Sequence, residues 1–414
     1  MRKFLIVVFL IGFQLILVNT AFPCTTAVIS GKATPDGRPL LWKHRDSDKV
    51  QNILRYFNDG RFPYIGLVNA DDPQGTQVWA GYNAAGFAIM NSASYNLKAK
   101  NDTTRLQDQE GVIMKLALQQ CRTVNDFQHL LDTLPKPLGV ESNFGVIDAQ
   151  GGAAYFETDN FSYKKLDAND PKVAPNGYII HTNYSFTGRP NEGYGYIRYQ
   201  EAEKLFEQAV AQNQLTATFL LQKVSRSLEH GLTGRNLYDE PGDAFRPHFV
   251  TFRDFIPRHS SVSVMVVQGV KTGQNADQTV AWTILGFPLT SVAFPIWLAA
   301  GPDFPSFFKA DKDSTAPLCR AALLLKDRCF QVKRGSGANY LNVSALWNTQ
   351  GSGILQRILP FESQLIDLGN ERIQTFEQNG FKRKTALDFY HKAEKMVRDF
   401  YWHEWQIDLK GNLQ

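Results

Sequence analysis

The stretch that decides the fold is Cys24-Thr25-Thr26-Ala27-Val28-Ile29-Ser30-Gly31, followed by Pro35-Asp36-Gly37-Arg38 and by Trp42-Lys43-His44-Arg45-Asp46-Ser47-Asp48. Residues 25–30 are sufficiently β-branched and apolar to predict a strand, and Asp36-Gly37 is a strong signal for a hairpin turn. Residues 39–43 then predict the returning strand. A cysteine therefore stands at the edge of a hairpin whose far end carries opposite charges.

Cys24 would combine a nucleophile and a base if the chain were cut directly before it. A thiol must lose its proton to attack a carbonyl, and an α-amine with a pKa of about 8 can accept that proton near neutral pH. No histidine is then required. The alternatives are a lipid attachment point or a disulfide partner. Lipoprotein processing favours small residues before the cysteine, whereas Phe22-Pro23 stand there in this chain.

The first 23 residues have the pattern of a secretion signal. Arg2-Lys3 precede an apolar run over residues 4–18, and the small residue Ala21 follows. A membrane anchor is the alternative, but the run is short for a span and polar residues follow it closely. We therefore expect residues 1–23 to be a signal peptide with a short propeptide, the protein to be secreted or periplasmic, and no stable membrane anchor. Self-cleavage or a proline-specific peptidase would remove Phe22-Pro23.

Three later blocks follow the leading cysteine. They are Gly81-Tyr82-Asn83-Ala84-Ala85-Gly86-Phe87 leading to Asn91, His181-Thr182-Asn183-Tyr184, and Ile197-Arg198-Tyr199 at a helix start. Together with Cys24-Thr25-Thr26 and Lys43-His44-Arg45-Asp46, they resemble the N-terminal nucleophile hydrolases that use cysteine. That superfamily includes choloylglycine hydrolases and penicillin V acylases, acyl-coenzyme A:6-aminopenicillanate acyltransferases, and dipeptidases that begin Cys-Thr-Thr. The resemblance covers about residues 24–300 and is carried by these separate motifs.

The resemblance implies a role for each matching residue. Cys24 would be the nucleophile and, through its amine, the base, while Asp46 would hold that amine. Asn91 and Asn183 would donate to the oxyanion or position the amine. Arg198 would steady the catalytic network.

Lys43 departs from the family pattern. Many bile-salt hydrolases have an arginine three residues before the aspartate, so Lys43 would supply a point charge in place of a planar fork. Arg45 is the alternative source of this cation.

Length and composition are compatible with one large domain or with one domain and an appendage. The chain has 414 residues, is 43% hydrophobic and carries a formal net charge of +4 without a block of basic residues, so nucleic-acid binding is not favoured. The resemblance implies an α+β fold, a four-layer αββα sandwich, over residues 24–330. Residues 331–414 predict a C-terminal helical extension with helices at 362–376, set off by Pro360, and 385–405. This extension would pack on the core or form a subunit contact, which leaves a homo-oligomer open.

The remaining cysteines are predicted to be structural. Cys121 follows a helical pattern and is expected to be a buried free thiol, while Cys319 and Cys329 flank a short apolar segment and are candidates for a local disulfide. They do not predict a zinc site, because no second close pair of Cys or His accompanies them.

Other classes of protein have weaker signals. His44, Asp46 and Asp48 would share one face of a strand and suggest a metallohydrolase, but no second histidine motif supports it. A secreted binding protein for an apolar ligand is a further alternative, favoured by aromatic residues in the loop-like segment 231–258: Phe245, Phe249, Phe252 and Phe255. A binding module has no need of the residues that the family match supplies.

We therefore expect a hydrolase that cleaves a linear amide bond in a small N-acylated molecule through an acyl-enzyme on Cys24. Acyl transfer to an amine is the same chemistry with a different acceptor. No cofactor or metal is implied.

Overall fold

The computed structural model describes residues 24–72 and 74–410, so the predicted signal peptide and propeptide lie outside the described residues. The strands are β1 (Thr25–Ile29), β2 (Leu40–Asp46), β3 (Asn52–Phe57), β4 (Tyr64–Asn69), β5 (Ala80–Asn83), β6 (Ala88–Ala93), β7 (Ser142–Ile147), β8 (Ala153–Thr158), β9 (Tyr163–Asp167), β10 (Tyr178–His181), β11 (Phe249–Thr251), β12 (Ser261–Gln268), β13 (Val280–Leu285), β14 (Ala293–Ile296) and β15 (Tyr340–Asn342). The α-helices are α1 (Glu110–Gln120), α2 (Val124–Thr133), α3 (Tyr196–Ala211), α4 (Ala217–Gln222), α5 (Pro317–Cys329), α6 (Val343–Leu346), α7 (Ile354–Asn379) and α8 (Arg383–Trp405).

Two antiparallel sheets form the centre of the fold. The six-stranded sheet has the order β10-β1-β2-β12-β13-β14, and the seven-stranded sheet runs β3 to β9 in chain order. The predicted hairpin is confirmed, since β1 pairs with β2 and Thr26 lies opposite Lys43. The sheets pack face to face, and the Tyr155 hydroxyl of β8 donates to Thr26 Oγ1 of β1 over 2.8 Å.

Helices cover both outer faces. On the seven-stranded sheet, Phe127 of α2 packs edge-on against Phe144 and Phe156, with ring centroids 5.7 and 5.2 Å away. On the six-stranded sheet, Trp42 of β2 packs against Phe206 of α3, and its indole N–H donates to Ser225 Oγ over 2.9 Å. The predicted four-layer αββα arrangement is therefore confirmed.

The C-terminal segment packs directly on the six-stranded sheet. Helix α7 lies against β14, and β15 pairs with β11, which precedes the central strand β12. The predicted helix at 362–376 is too short: α7 begins at Ile354 and contains Pro360. A proline within a helix removes one backbone donor. Here the apolar face continues on both sides of Pro360, from Leu355 and Ile358 to Leu365, and its burial outweighs that loss.

All four cysteines are free thiols. Cys121 is buried, as predicted. The disulfide considered for Cys319 and Cys329 is wrong, because both residues lie on the single helix α5. Ten residues of helix separate their Cα atoms by about 15 Å along the axis, well beyond the reach of a disulfide.

Candidate active site

Cys24 immediately precedes β1, in the middle of three paired strands, and is 6% exposed. On one side Thr25 pairs with His44 of β2, and on the other side Thr26 pairs with His181 of β10. Continuing both registers to the end of the strand sets Cys24 across from Arg45 and from Asn183. Pairing alone therefore gathers three separate blocks of sequence around the cysteine.

Alternation along the strands divides the predicted residues between two faces. Lys43 and Arg45 of β2 point toward the seven-stranded sheet, since both make contacts there. On β1, Thr26 points the same way, because its hydroxyl contacts Tyr155 of β8. Cys24 is two residues before Thr26 and therefore lies on the same face, which places its thiol between the sheets. Asp46 lies on the opposite, helix-covered face.

Arg198 connects the backbone of Cys24 to Asn183. The guanidinium is fully buried, and its Nη1 donates to the Cys24 carbonyl oxygen over 2.6 Å and to Thr25 Oγ1 over 2.7 Å. Its Nη2 donates to Asn183 Oδ1 over 2.9 Å. Burial lowers the pKa of Arg198 to about 9, an effect that the charges of Asp46 and Cys24 oppose. Arg198 thus fixes the main chain of Cys24, the predicted nucleophile, and the side chain of Asn183, a predicted oxyanion donor, in a single arrangement.

Gly195 sets the position of Arg198 at the start of α3. It has a φ of 88°, and a Cβ there would lie 2.2 Å from Arg198 Nη2. We expect Gly195→Ala to displace the guanidinium and lower turnover at least tenfold. Gly234→Ala is the matched control, because Gly234 also has a positive φ, 66°, but open space around its Cβ position. Both variants carry a backbone penalty of about 1 kcal/mol, so equal losses of activity would contradict the positioning role.

Asn183 is held on three sides. Its backbone N–H donates to the Tyr194 carbonyl over 3.1 Å, and its side-chain Nδ2 donates to the Ala93 carbonyl over 2.8 Å. With Oδ1 accepting from Arg198, the amide orientation is set by its partners, since only Nδ2 can donate to a carbonyl. The second N–H of Nδ2 remains for a substrate oxygen.

Lys43 and Asn91 form a buried pair between the sheets. Lys43 Nζ donates to Asn91 Oδ1 and to the Trp79 carbonyl, each over 2.7 Å. Asn91 Nδ2 donates to Ser142 Oγ over 3.1 Å. Burial lowers the pKa of Lys43 to about 7, while the charge of Cys24 acts to raise it. The structure thus brings Cys24, Lys43, Asn91 and Asn183 to one side of the hairpin.

Arg45 is a second buried cation beside Cys24. Its guanidinium donates to Asn52 Oδ1 over 2.5 Å and to Asn69 Oδ1 over 2.9 Å, and it lies 4.8 Å from the Trp79 ring centroid. Burial lowers the pKa of Arg45 to about 10, and the charge of Cys24 is the largest effect that opposes this, so Arg45 stays the alternative source of the cation. Its charge also lowers the pKa of Lys43.

Asp46 pairs with two residues that sequence reasoning missed. Arg258 Nε donates to Asp46 Oδ2 over 3.0 Å, and the Ser261 hydroxyl donates to Oδ1 over 2.5 Å. The role of Asp46 in holding the Cys24 amine stays a prediction. Arg258 carries no motif of its own, and only the pairing of β12 with β2 brings it beside Asp46.

The two histidines of the site region are neutral at physiological pH. Burial lowers the pKa of His44 to about 4 and that of His181 to about 3. His44 Nδ1 lies 3.9 Å from Asp46 Oδ1, but Asp48 is exposed on the following turn, so the three residues do not converge. Across residues 24–72 and 74–410, no group of three His, Cys, Asp or Glu side chains is placed to hold a metal ion.

The four aromatic residues that favoured a binding protein divide between core and surface. Phe252 and Phe255 are buried and stack with ring centroids 4.8 Å apart, whereas Phe245 and Phe249 are exposed. Only Phe245 and Phe249 are therefore accessible to an apolar ligand.

A family model matches residues 35–229, just under half of the chain, and that family is acyl-coenzyme A:6-aminopenicillanic acid acyl-transferase. The matched region includes every predicted site residue except Cys24. The resemblance to N-terminal nucleophile hydrolases is confirmed. No curated protein matches the sequence significantly.

Three solved structures match this chain at low identity and low TM-score. An N-acylethanolamine-hydrolyzing acid amidase ortholog of Caenorhabditis elegans is 14% identical, with a TM-score of 0.38 over 63% of this chain and 99% of that one. Penicillin V acylase from Agrobacterium tumefaciens is 13% identical, with a TM-score of 0.37 over 66% and 86%. A conjugated bile acid hydrolase mutant from Clostridium perfringens is 10% identical, with a TM-score of 0.39 over 66% and 92%.

Proposed function

We propose that this chain hydrolyses a linear amide bond of a small N-acylated molecule through a thioester on Cys24. The observation that carries the proposal is the placement of Cys24 at the head of β1, with its carbonyl held by Arg198 and the amide of Asn183 fixed by the same guanidinium. An arrangement of this kind positions a nucleophile beside a hydrogen-bond donor, as acyl transfer requires.

The reaction begins once Cys24 has a free α-amine. The amine takes the thiol proton, and the sulfur attacks the substrate carbonyl to give a tetrahedral oxyanion. Asn183 Nδ2 donates its remaining N–H to that oxygen. Collapse breaks the C–N bond, and the leaving amine takes the proton from the α-ammonium. Water then attacks the thioester, the acid leaves, and the thiol regains its proton.

Acyl transfer differs only in the second step. An amine that attacks the thioester in place of water gives a new amide, and the family match supports this alternative equally. Product analysis in the presence of added amines distinguishes the two: free acid alone indicates a hydrolase, and an acylated amine indicates a transferase.

Processing and export form part of the same proposal. The pattern of residues 1–23 supports export and removal of this segment, which would expose Cys24 in the secreted or periplasmic protein. Intact-mass and N-terminal analysis of the active protein tests this. A chain that retains Phe22-Pro23 and remains fully active would exclude the α-amine as the base.

No helix within residues 24–72 and 74–410 has both the length and the apolar character needed to cross a bilayer.

Asn183 is expected to be the main oxyanion donor. In Asn183→Asp the side chain keeps an oxygen for Arg198 but loses the donating Nδ2, and the loss of one such donor lowers kcat by about 10²–10³. Asn91→Asp is the matched comparison, since it also adds one buried carboxylate, keeps the oxygen that accepts from Lys43 and loses the donation to Ser142. Steady-state kcat and KM for both variants decide which asparagine is the main oxyanion donor. A larger loss of kcat in Asn91→Asp than in Asn183→Asp would assign that role to Asn91.

A further inference from the structure

The hydrogen bonds of Lys43 satisfy a neutral amine, and the Trp79 ring, whose centroid lies 5.9 Å from Nζ, can face the ammonium ion that forms on protonation. The side chain is buried between the sheets, and within the described residues 24–72 and 74–410 its Nζ has two hydrogen-bond partners, Asn91 Oδ1 and the Trp79 carbonyl. Both partners are oxygens that accept. A neutral amine has two N–H groups, so these oxygens satisfy it fully and leave its lone pair available; an ammonium ion has a third N–H to place.

Three charged or titratable groups face Lys43 from the packed elements. The Cys24 thiol from β1 and the Glu110 carboxyl from the start of α1 raise its pKa, and Arg45 from its own strand lowers it. Burial is the largest effect, and together they leave the pKa of Lys43 at about 7. A base is most effective when its pKa lies near the working pH.

We propose that Lys43 accepts the thiol proton of Cys24 as the sulfur attacks the substrate, and this proposal rests on Cys24 being the nucleophile. The S–H bond breaks, the electron pair stays on sulfur and becomes the new S–C bond, and the proton forms a third N–H on Lys43 Nζ. The ammonium ion gives this proton to the leaving amine when the C–N bond breaks. Lys43 takes the part that the mechanism above gives to the α-amine of Cys24, so the two groups are alternative bases for the same proton.

The proposed role depends on position 43 being a lysine and not an arginine. A guanidinium holds its proton more strongly than an amine in the same surroundings, whereas a buried lysine loses its proton readily. Where many bile-salt hydrolases have an arginine, this chain therefore has a side chain that can change its charge during the reaction.

The proton-acceptor role is tested by comparing Lys43→Arg and Lys43→Met with the wild-type protein. Acylation is followed by the burst of p-nitrophenol from p-nitrophenyl acetate between pH 5 and 9, in H₂O and in D₂O. We expect both variants to acylate at least tenfold more slowly at pH 7.5 and to lose the slowing in D₂O. If a fixed positive charge were all that is needed, Lys43→Arg would keep the wild-type rate, pH profile and isotope effect, and the proposal would be overturned.

A second measurement uses only the wild-type protein and covers the case in which a variant does not fold. Lysine labelled with ¹³C at Cε reports the protonation of each amine by NMR, and Lys43 is expected to give the lowest midpoint of all the lysines, because burial lowers its pKa to about 7. We expect a midpoint near pH 7; a midpoint near the ordinary value of about 10.4 would refute the inference. Loss of the burst in Cys24→Ala with a normal burst in Lys43→Arg removes this inference alone, whereas a normal burst in Cys24→Ala removes the proposed function.

Discussion

Cys24→Ala is expected to abolish amide cleavage, by about 10⁴-fold or more, while the protein remains folded. The substitution removes the thiol on which the proposed acyl-enzyme would form. Turnover of an N-acyl amide panel and the intact mass after incubation with substrate measure the effect. The wild-type chain should gain the mass of an acyl group, and the variant should not.

The other three cysteines provide the control for this experiment. Burial raises the pKa of the Cys121 and Cys329 thiols to about 12 and that of Cys319 to about 11. Iodoacetamide reacts with thiolates, so alkylation of the folded protein near pH 7 should be confined to Cys24. Cys121→Ala should leave turnover unchanged. Full activity in Cys24→Ala, or inactivation that follows alkylation at another cysteine, would refute the nucleophile.

Glu362→Leu is expected to lower the free energy of unfolding by about 3–5 kcal/mol, because it leaves the buried charge of Arg226 without its partner. Both side chains are fully buried. Arg226 donates to both carboxylate oxygens of Glu362 and also binds the Pro288 and Ser291 carbonyls. The backbone N–H of Ala293, at the start of β14, donates to the same carboxylate over 2.6 Å. Chemical denaturation of the two proteins measures the loss.

Two further variants separate the buried pair from surface electrostatics. Asp327→Asn breaks the exposed ion pair with Lys333, whose side chains are 66% and 61% accessible, and should cost less than about 1 kcal/mol. Arg226→Met combined with Glu362→Leu removes both charges and should recover part of the stability lost in Glu362→Leu. If Glu362→Leu alone were no less stable than Asp327→Asn, this result would contradict the structural role of the Arg226–Glu362 pair.

Much of the fold is encoded by local pattern. The hairpin of β1 and β2 follows from β-branched residues and an Asp-Gly turn, and helix α8 was predicted to within two residues of its start. The four-layer arrangement came from the family resemblance, since alternation of hairpins and helices alone is compatible with several architectures. Helix α7 was misjudged because a proline is a strong local signal, whereas the apolar face that overrides it is visible only against β14.

The site was predicted as a set of residue types, and its geometry depends on long-range pairing. Sequence order gives Lys43 and Asp46 as neighbours, yet strand alternation sends them to opposite faces of the sheet. Arg258 was missed because its partner Asp46 is 212 residues away. The change in the pKa of Lys43 was likewise beyond sequence reasoning, because it results from burial between two sheets that are assembled from distant segments.

The ion pair between Arg226 and Glu362 links two distant segments of the chain during folding. Arg226 and Glu362 are 136 positions apart, so their ion pair forms only when both segments are present. The edge of β11 is likewise covered only when β15 is present. While a ribosome is still making residues 227–361, Arg226 therefore has no Glu362 carboxylate to pair with. The core around this buried pair is completed only when helix α7, which carries Glu362, is present.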